Sequence, residues 1–277
     1  MSNWLRVNKS VLCPICEKNN WCMISKDGKS AFCMRVDNGN LQPNGGWIHK
    51  LTDDIKPFRL PRKQKKEPKL SHKELCVLSK KYMDDADLGI LCNDLFVSRD
   101  SLERLCVGYD KEMKCWTFPM RDGHGYMIGI RTRFEDAKRS YPGSRNGLFI
   151  PRGVVHEPEI AIVEGPTDTA ALLDIGVPAI GRASCNSCVE LVKDYINKFK
   201  TKSIIIVADN DKAKIRNGKK YYPGQDGAKA LAKALYHIDL PIKIIKPVGC
   251  KDCRDWKQNG LTKELFYNIV RNNRRYI

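Results

Sequence analysis

The stretch IVEGPTDTAALLDIG, residues 162–176, joins an apolar strand to a helix through a charged turn. Three apolar residues, 161–163, run directly into Glu164 and a glycine, and a helical pattern then continues to Gly176. Charged side chains are rarely placed beside apolar strands for structure alone. Glu164 is therefore the first candidate functional residue.

The second half of the chain repeats this arrangement. Apolar runs alternate with helical segments, at 160–163, 177–180, 203–208 and 241–246. Such alternation predicts a parallel α/β sheet, in which ligands bind at the carboxyl ends of the strands. The third run leads into Asp209 and Asp211, and Asp252 follows the fourth.

We therefore expect Glu164, Asp209 and Asp211 to meet at one edge of the sheet. Side chains alternate along an extended segment, so Asp209 and Asp211 point to the same side. Carboxylates that face one spot repel each other unless a cation lies between them. Because oxygen ligands favour Mg²⁺ or Mn²⁺, these three residues are the predicted ligands of a catalytic metal.

Short motifs around these carboxylates resemble a known family. VEGPTD at 163–168 and VADND at 207–211 are similar to the two signature motifs of the Toprim domain, which bacterial-type primases, topoisomerases and some nucleases share. GCKDCRDW at 249–256 is similar to a later motif of primase-like Toprim proteins. The resemblance implies a catalytic set that consists of Glu164, Asp168, Asp209, Asp211 and Asp252.

The resemblance extends upstream of the first motif. Segments 107–134 and 138–149 resemble the first half of the RNA polymerase domain of bacterial and phage primases. In that family, basic residues here lie over the metal site and bind the nucleotide triphosphate and the template. The corresponding residues of this chain are Arg131, Arg133, Lys138, Arg139 and Tyr141. Arginine forks match phosphate oxygens, although a solvated strand face would also carry such residues.

One segment departs from the family pattern. Primases usually continue from the second acidic motif into a helix of small residues, but this chain first inserts KAKIRNGKKYYPGQ at 212–225. The insertion has five basic residues and the pair Tyr221 and Tyr222. This composition suits contact with a nucleic-acid backbone and stacking on bases, and it also suits a solvated surface loop.

The first 54 residues predict a zinc ribbon. Cys13 and Cys16 have the spacing of a zinc knuckle, and Cys33 lies on the return strand of a predicted hairpin. Bacterial and phage primases begin with a ribbon of this kind. Cys22 and His49 compete for the fourth position, and we favour His49 because it is the only later candidate and because two glycines let the chain fold back beside the ribbon.

A second zinc site is less favoured. Cys185 and Cys188 share the two-residue spacing of Cys250 and Cys253. These pairs follow the second and fourth apolar runs, however, and the expected strand order separates them by about 14 Å.

The charge of the chain points to a polyanionic partner. Lys and Arg outnumber Asp and Glu by 49 to 32, which gives a net charge of +17. Such an excess favours nucleic acid, because binding releases the counterions of the phosphates. Residues 56–69 contain seven basic residues and three prolines, so they predict an extended linker that is either a tether or a further backbone contact.

These patterns together predict an α/β fold with an N-terminal β-rich zinc ribbon, a basic linker and a primase-type RNA polymerase domain with a parallel-sheet Toprim subdomain. The expected boundaries are 1–54 for the ribbon, 55–70 for the linker, 71–157 for a basic subdomain and 158–277 for the Toprim subdomain.

The predicted function is synthesis of RNA primers on single-stranded DNA from ribonucleoside triphosphates, with structural zinc and catalytic Mg²⁺ or Mn²⁺. Two alternatives are a Toprim nuclease and a non-catalytic nucleic-acid-binding replication protein. The chain has no Walker A pattern, so a replicative helicase would be a separate partner. No apolar leader or membrane span is evident, and we expect a cytoplasmic protein of phage or plasmid type.

Overall fold

The computed structural model describes residues 4–43, 45–51, 69–84, 86–216, 219–274 and 276. The chain divides into two compact units, Met1–Lys66 and Glu67–Ile277. The predicted linker lies outside the described residues except for its last two positions. In the described part of the chain, no helix has the length and apolar character needed to cross a membrane.

The first unit is a small antiparallel sheet. Its strands are β1 (Trp4–Arg6), β2 (Met23–Ser25), β3 (Ser30–Cys33), β4 (Asn40–Leu41) and β5 (Trp47–Lys50). They pair in the order β1-β2-β3-β5-β4. The hydroxyl of Ser25 accepts a hydrogen bond from the Ser30 amide at 2.9 Å and so closes the hairpin between β2 and β3. The predicted β-rich N-terminal unit is confirmed.

The second unit begins with three helices and an antiparallel meander. These elements are α1 (His72–Asp84), α2 (Leu88–Leu95), α3 (Arg99–Arg104), β6 (Gly108–Asp110), β7 (Cys115–Arg121), β8 (Met127–Arg133), β9 (Lys138–Ser140) and β10 (Leu148–Phe149). A capping box begins α1, because the Ser71 amide donates to Glu74 Oε2 at 2.7 Å and the Ser71 hydroxyl accepts from the Glu74 amide at 3.3 Å. The hydroxyl of Ser98 caps α3 by accepting a hydrogen bond from the Ser101 amide at 3.2 Å.

The remaining chain alternates between strand and helix. Its elements are β11 (Glu159–Glu164), α4 (Pro166–Asp174), β12 (Ala179–Arg182), α5 (Val189–Phe199), β13 (Ser203–Val207), β14 (Lys214–Arg216), β15 (Lys219–Tyr221), α6 (Pro223–Leu235), a 3₁₀ turn (Tyr236–Ile238), β16 (Ile242–Ile245), α7 (Cys253–Gln258) and α8 (Lys263–Asn272). Strands β16, β13, β11 and β12 are neighbours in that order and all run parallel. The parallel sheet predicted from the four apolar runs is therefore confirmed.

A single sheet of nine strands runs through the second unit. Strand β10 pairs antiparallel with β12 on one side and with β7 on the other, and the path continues through β8 to β9. The subdomain boundary expected at residues 157 and 158 therefore falls between β10 and β11, inside one continuous sheet. This continuity fixes the meander relative to the carboxyl ends of the parallel strands.

The parallel strands are buried on both faces. Ile160, Ile162 and their neighbours pack with α5 and α6 on one face, where Tyr195 and Leu231 are fully buried. The alternate strand residues face the opposite core, which includes α7 and α8 through Trp256 and Phe266. Burial on both faces explains why these strands are continuous apolar runs in the sequence. It also leaves the carboxyl edge of the sheet as the place where polar side chains can gather.

Candidate active site and metal centre

Four cysteines of the first unit gather their sulfur atoms in one place. The Sγ atoms of Cys13, Cys16, Cys22 and Cys33 all lie within 4.8 Å of one another. The Cys16–Cys22 and Cys22–Cys33 sulfur distances are 3.7 and 3.9 Å. A tetrahedral zinc site with Zn–S bonds of about 2.3 Å has sulfur atoms about 3.8 Å apart. The chemistry and the spacing of this donor set therefore fit a structural zinc ion.

The structure corrects our preference for the fourth ligand. Cys22, rather than His49, lies with the other three sulfur atoms. The Nε2 atom of His49 instead lies 3.2 Å from the Val36 carbonyl oxygen, in a hydrogen bond that orders the turn before β4. Spacing alone did not separate the two candidates, because a thiolate and an imidazole are both good zinc ligands.

Arg35 supports the sulfur cluster. Its guanidinium donates to the sulfur atoms of Cys22 at 3.5 Å and Cys16 at 3.7 Å, and to the Asn20 carbonyl oxygen at 2.9 Å. Burial opposes ionisation of Cys16, yet the Lys18 amide and neighbouring thiols lower its pKa to about 7. Cysteine binds zinc as the thiolate, so these donors favour the form that binds metal at Cys16, whereas burial raises the pKa of Cys13 and raises that of Cys22 to about 12.

The carboxyl edge of the parallel sheet brings together the acidic residues that the sequence singled out. Glu164 ends β11, and Asp209 and Asp211 lie two and four residues after the end of β13. Gly165, with φ of 89°, turns the chain from Glu164 into α4, a conformation that favours glycine. Asp168 in the first turn of α4 is buried and accepts a hydrogen bond from the Arg254 amide at 3.1 Å. The fifth carboxylate, Asp252, caps α7 through the Asp255 amide at 2.8 Å.

Burial and neighbouring carboxylates raise the pKa values of Asp168 and Asp209. Burial, followed by the charges of Asp168 and Glu164, raises the pKa of Asp209 to about 8. Burial and then Asp252 raise the pKa of Asp168 to about 7, although the Arg254 amide opposes that shift. Such mutual destabilisation is the expected property of carboxylates that share a divalent cation. The donor set is all oxygen and half-buried or buried, which is the chemistry that Mg²⁺ and Mn²⁺ prefer. Among the described residues, however, these oxygen atoms are not gathered within 4.8 Å of one another as the four sulfur atoms are.

Helix α6 positions the two aspartates that follow β13. The Gly224 amide donates to Asp211 Oδ2 at 3.0 Å, at the start of the helix. Gly224 also lies against Asp209, since a Cβ atom on this glycine would be 2.5 Å from the Asp209 carbonyl oxygen and 2.9 Å from its Cβ atom. Absence of a side chain at position 224 therefore allows the strand end and the helix to approach closely.

A cavity of about 520 Å³ covers the acidic edge, and basic residues form its other walls. Arg131, Arg133 and Lys138, which were predicted to bind nucleotide, line it together with the five carboxylates. The Arg131 guanidinium is oriented by the Ala183 carbonyl and Asn146 Oδ1 oxygens, both at 3.3 Å. Lys138 is exposed as a whole, yet burial of its ammonium group and then the charge of Arg133 lower its pKa.

Two other predicted binding residues are not brought to this cavity. Strand β9 pairs Lys138 with Arg133 and Arg139 with Thr132, so alternation directs Arg139 away from the cavity wall that Lys138 forms. The Arg139 guanidinium lies 5.3 Å from the centre of the Phe134 ring. The Tyr141 hydroxyl accepts from Tyr82 of α1 at 3.4 Å. A role for Arg139 and Tyr141 in binding template stays a prediction.

Sequence reasoning missed three basic residues of the cavity. Lys214, Lys251 and Arg254 also line it. Lys251 and Arg254 flank Asp252 in the acidic motif at 249–256, so proximity to that aspartate was a signal that could have identified them. Lys214 belongs to the inserted segment, where the sequence left contact with nucleic acid and a solvated loop as alternatives.

The second cysteine arrangement does not form a metal site. Cys185 and Cys188 follow β12, whereas Cys250 and Cys253 follow β16, and β13 and β11 lie between those strands. Within the described ranges, the sulfur atoms at 13–33 are the one group of three or more cysteine, histidine or carboxylate ligand atoms that all lie within 4.8 Å of one another. The expected separation of the two pairs agrees with this strand order.

Comparisons with known proteins rest on structure, because no family model and no curated protein sequence matches the chain. A structure of the DnaG catalytic core superposes with a TM-score of 0.58 at 15% identity, over 74% of this chain and 80% of that chain. Aquifex aeolicus primase, with zinc-binding and RNA polymerase domains, gives 0.55 at 14% identity over 99% and 80%. The primase fragment of the bacteriophage T7 primase-helicase protein gives 0.50 at 13% identity over 96% and 99%. The chain therefore has the fold of the zinc-binding and RNA polymerase domains of DNA primases.

Proposed function

We propose that this chain is a DNA primase that synthesises short RNA primers on a single-stranded DNA template. The observation that carries the proposal is one cavity in which five carboxylates face Arg131, Arg133 and Lys138. A metal-dependent nucleotidyltransferase needs this combination, because it must bind both divalent cations and a polyanionic triphosphate. Primase structures with the same fold support the assignment.

Glu164, Asp209 and Asp211 would hold the catalytic Mg²⁺ or Mn²⁺. When bound, these ions would neutralise charge on the triphosphate and favour ionisation of the attacking 3′-hydroxyl. Asp168 and Asp252 complete the negative edge, and both interact with the start of α7, where Arg254 enters the cavity. This arrangement would place a metal-bound nucleotide between the acidic edge and the basic wall.

Arg133, Lys138 and Arg254 would bind the triphosphate. Burial and then Arg254 lower the pKa of Arg133, and Arg133 and Arg254 both lower that of Lys138. Three cations in one place repel each other, so a bound anion would stabilise the cluster. Arginine and lysine donors to phosphate oxygens form strong charge-assisted hydrogen bonds. Arg131, which the Ala183 and Asn146 oxygens orient, would contact the nucleotide from the adjacent wall.

The first unit would contribute template recognition. Its four clustered cysteines would hold zinc, and the exposed face of a ribbon stabilised in this way could read bases of single-stranded DNA. A separate replicative helicase would supply the unwound template. A primase of phage type would act in the cytoplasm of the infected cell, and this location is inferred from the proposed function alone.

The experiment that tests the proposal is an incubation with single-stranded DNA of mixed sequence, labelled ribonucleotides and Mg²⁺. We expect short RNA products that require the DNA and all four nucleotides, and none from Asp209→Asn. Shortened DNA without labelled RNA would indicate the Toprim nuclease instead. The basic cluster argues against a nuclease, since hydrolysis by water does not need a triphosphate site. If the protein bound DNA but yielded neither RNA nor shortened DNA, the non-catalytic alternative would be indicated.

A further inference from the structure

The hairpin β14–β15 joins the metal-site carboxylates to helix α6. It begins three residues after Asp211 and ends two residues before α6, whose Gly224 amide donates to that same carboxylate at 3.0 Å. The Gln225 side chain also donates to the Asp211 carbonyl oxygen at 3.3 Å. Both ends of the hairpin are therefore attached to the edge of the acidic site.

The two faces of this hairpin differ in where they point. In the antiparallel pairing, Lys214 is opposite Tyr221, and Ile215 is opposite Lys220. Side chains alternate along each strand, so the first pair lies on one face and the second pair on the other. Lys214 and Lys220 are both exposed, but of the two only Lys214 lines the catalytic cavity. Ile215, on the same face as Lys220, is 76% exposed. The hairpin therefore presents one cation to the cavity and another away from it.

The cavity has two sides, which correspond to the two faces of the parallel sheet. Arg254 belongs to α7, which packs on the face that contains Trp256. Its amide bonds Asp168, and its charge couples to Arg133 and Lys138. Lys214 is continuous with α6, which packs on the opposite face through Leu231. The strand-end carboxylates Glu164 and Asp209 lie between these two sides.

Nucleotidyl transfer needs its two substrates on opposite sides of the metal ions. The 3′-hydroxyl oxygen forms a bond to the α-phosphorus while the bond to pyrophosphate breaks, with the attacking and leaving oxygens in line. The triphosphate carries the larger charge, so it belongs with the three cations on the α7 side. The acceptor strand, with one charge per phosphate, then lies on the α6 side, where Lys214 is.

We propose that Lys214 binds a backbone phosphate of the strand that carries the acceptor 3′-hydroxyl, so that β14–β15 forms the acceptor wall of the active site. The inference rests on the proposed primase function and extends it. Tyr221, half-buried on the same face of the hairpin, gives that wall a ring beside the lysine, in the combination of cation and aromatic residue that single strands favour. The occupant is the nascent RNA strand rather than free template DNA.

The test compares two lysines of the same hairpin in the full-length protein. Lys214→Ala and Lys220→Ala each remove one positive charge, but only the first changes the cavity. The probe is a fluorescent RNA–DNA hybrid with a recessed RNA 3′ end and a DNA overhang, and its affinity is measured by anisotropy without nucleotides. We expect Lys214→Ala to weaken binding about tenfold, as one charge-assisted contact predicts, and Lys220→Ala to change it less than twofold.

Two further measurements identify the strand and the substrate. Binding of the single-stranded DNA template alone should be the same in both variants. In extension of the hybrid, Lys214→Ala should raise the KM for the hybrid and leave the KM for the nucleotide unchanged. Equal effects of the two variants, an equal loss of template binding, or a higher nucleotide KM would each overturn the inference.

The binding measurement also separates this inference from the proposed function. If the wild-type protein bound the hybrid and never extended it, the primase assignment would be contradicted, while the two lysine variants would still decide whether Lys214 contacts the RNA strand. If the wild-type protein extended the hybrid and both variants behaved like it, the function would stand and the acceptor wall would be wrong.

Discussion

The two proposed metal sites of this chain relate to their scaffolds in opposite ways. In the first unit, three of the five buried residues that form its core are the clustered cysteines Cys13, Cys22 and Cys33. In the second unit, the carboxylates Glu164 and Asp209 lie at the edge of a sheet with a cluster of buried, mainly apolar residues on each face. In the first unit the proposed zinc ligands form much of the core of the unit. In the second unit the proposed metal ligands lie outside the two cores of the sheet.

This difference predicts whether each metal contributes to folding or to catalysis. A unit of about 50 residues buries too little apolar surface to be stable alone, so its ligand bonds supply folding free energy. A parallel sheet with two buried faces does not need help of that kind. Loss of metal should therefore unfold the first unit, and in the second unit it should stop chemistry and leave the fold intact.

The largest expected effect is on the first unit. Cys22→Ser removes a ligand of an ion whose binding contributes on the order of 10 kcal/mol to folding. Zinc content should fall from one ion per chain to none, and amide protons of β2 and β3 should lose their protection from exchange. The second unit should keep its protection. His49→Gln is the matched control and should retain zinc, because its ring bonds the Val36 carbonyl; loss of zinc from that variant alone would restore His49 as the ligand.

The next effect is on catalysis without unfolding. Asp209→Asn should lower the rate of primer synthesis at least about 1000-fold, or about 4 kcal/mol, because it removes a predicted metal ligand. Its unfolding temperature should not fall, since the neutral amide no longer repels Asp168 and Glu164. Calorimetry and primer assays on the same preparation measure both. A variant that lost fold and activity together would break the comparison between the two regions.

A smaller effect is expected at the basic wall. Arg254→Ala should raise the nucleotide KM about 10-fold to 100-fold, the cost of one charged hydrogen bond to phosphate. The KM for an RNA–DNA hybrid should stay constant. Arg271→Ala on α8 removes the same charge from an exposed site and serves as the control. If both variants raised the nucleotide KM equally, overall charge rather than the cavity would explain the effect.

The smallest expected effect is a pH dependence of the second unit. Burial and neighbouring carboxylates raise the pKa of Asp209 to about 8 and that of Asp168 to about 7, above the value of about 3.9 in an unfolded chain. The folded state therefore holds protons that the unfolded state releases, so stability falls as pH rises toward 8. Without Mg²⁺, the unfolding temperature should be a few degrees higher at pH 6.5 than at pH 8.5.

Added Mg²⁺ should reduce that difference, because a cation offsets the same repulsion that protons relieve. Asp209→Asn should reduce it as well and thus gives a second measurement of the same cause. An unfolding temperature that rose with pH in the wild-type protein, with zinc retained throughout, would contradict the account of crowded carboxylates.

Residues whose position follows from strand periodicity could be predicted from sequence. Glu164, Asp209 and Asp211 end or closely follow parallel strands, and parallel strands bring their carboxyl ends to one edge whatever the loops do. Arg131 and Arg133 were also predictable as a pair, because residues two positions apart on a strand lie on the same face of the sheet. The apolar runs themselves predicted the sheet order well enough to separate the later cysteine pairs.

Residues whose position depends on tertiary contacts were not predictable. Arg254 reaches the cavity because its amide bonds Asp168, a contact between residues 86 positions apart. Arg139 was expected to lie over the metal site together with Lys138, but the two are neighbours on a strand and face opposite sides. The choice of Cys22 over His49 depended on how β3 and β5 pair, and ligand spacing carries no information about that pairing.

Gly224 connects these observations to how the sequence can vary. This glycine has no chemistry of its own, yet a single methyl group there would lie 2.5 Å from the Asp209 carbonyl oxygen. A mutational survey of α6 should therefore find intolerance at position 224 in a selection for primer synthesis and broad tolerance at the exposed Lys229. Evolution of this active site is constrained by steric exclusion as much as by charge, and a search for distant relatives should weight that small residue like an acidic one.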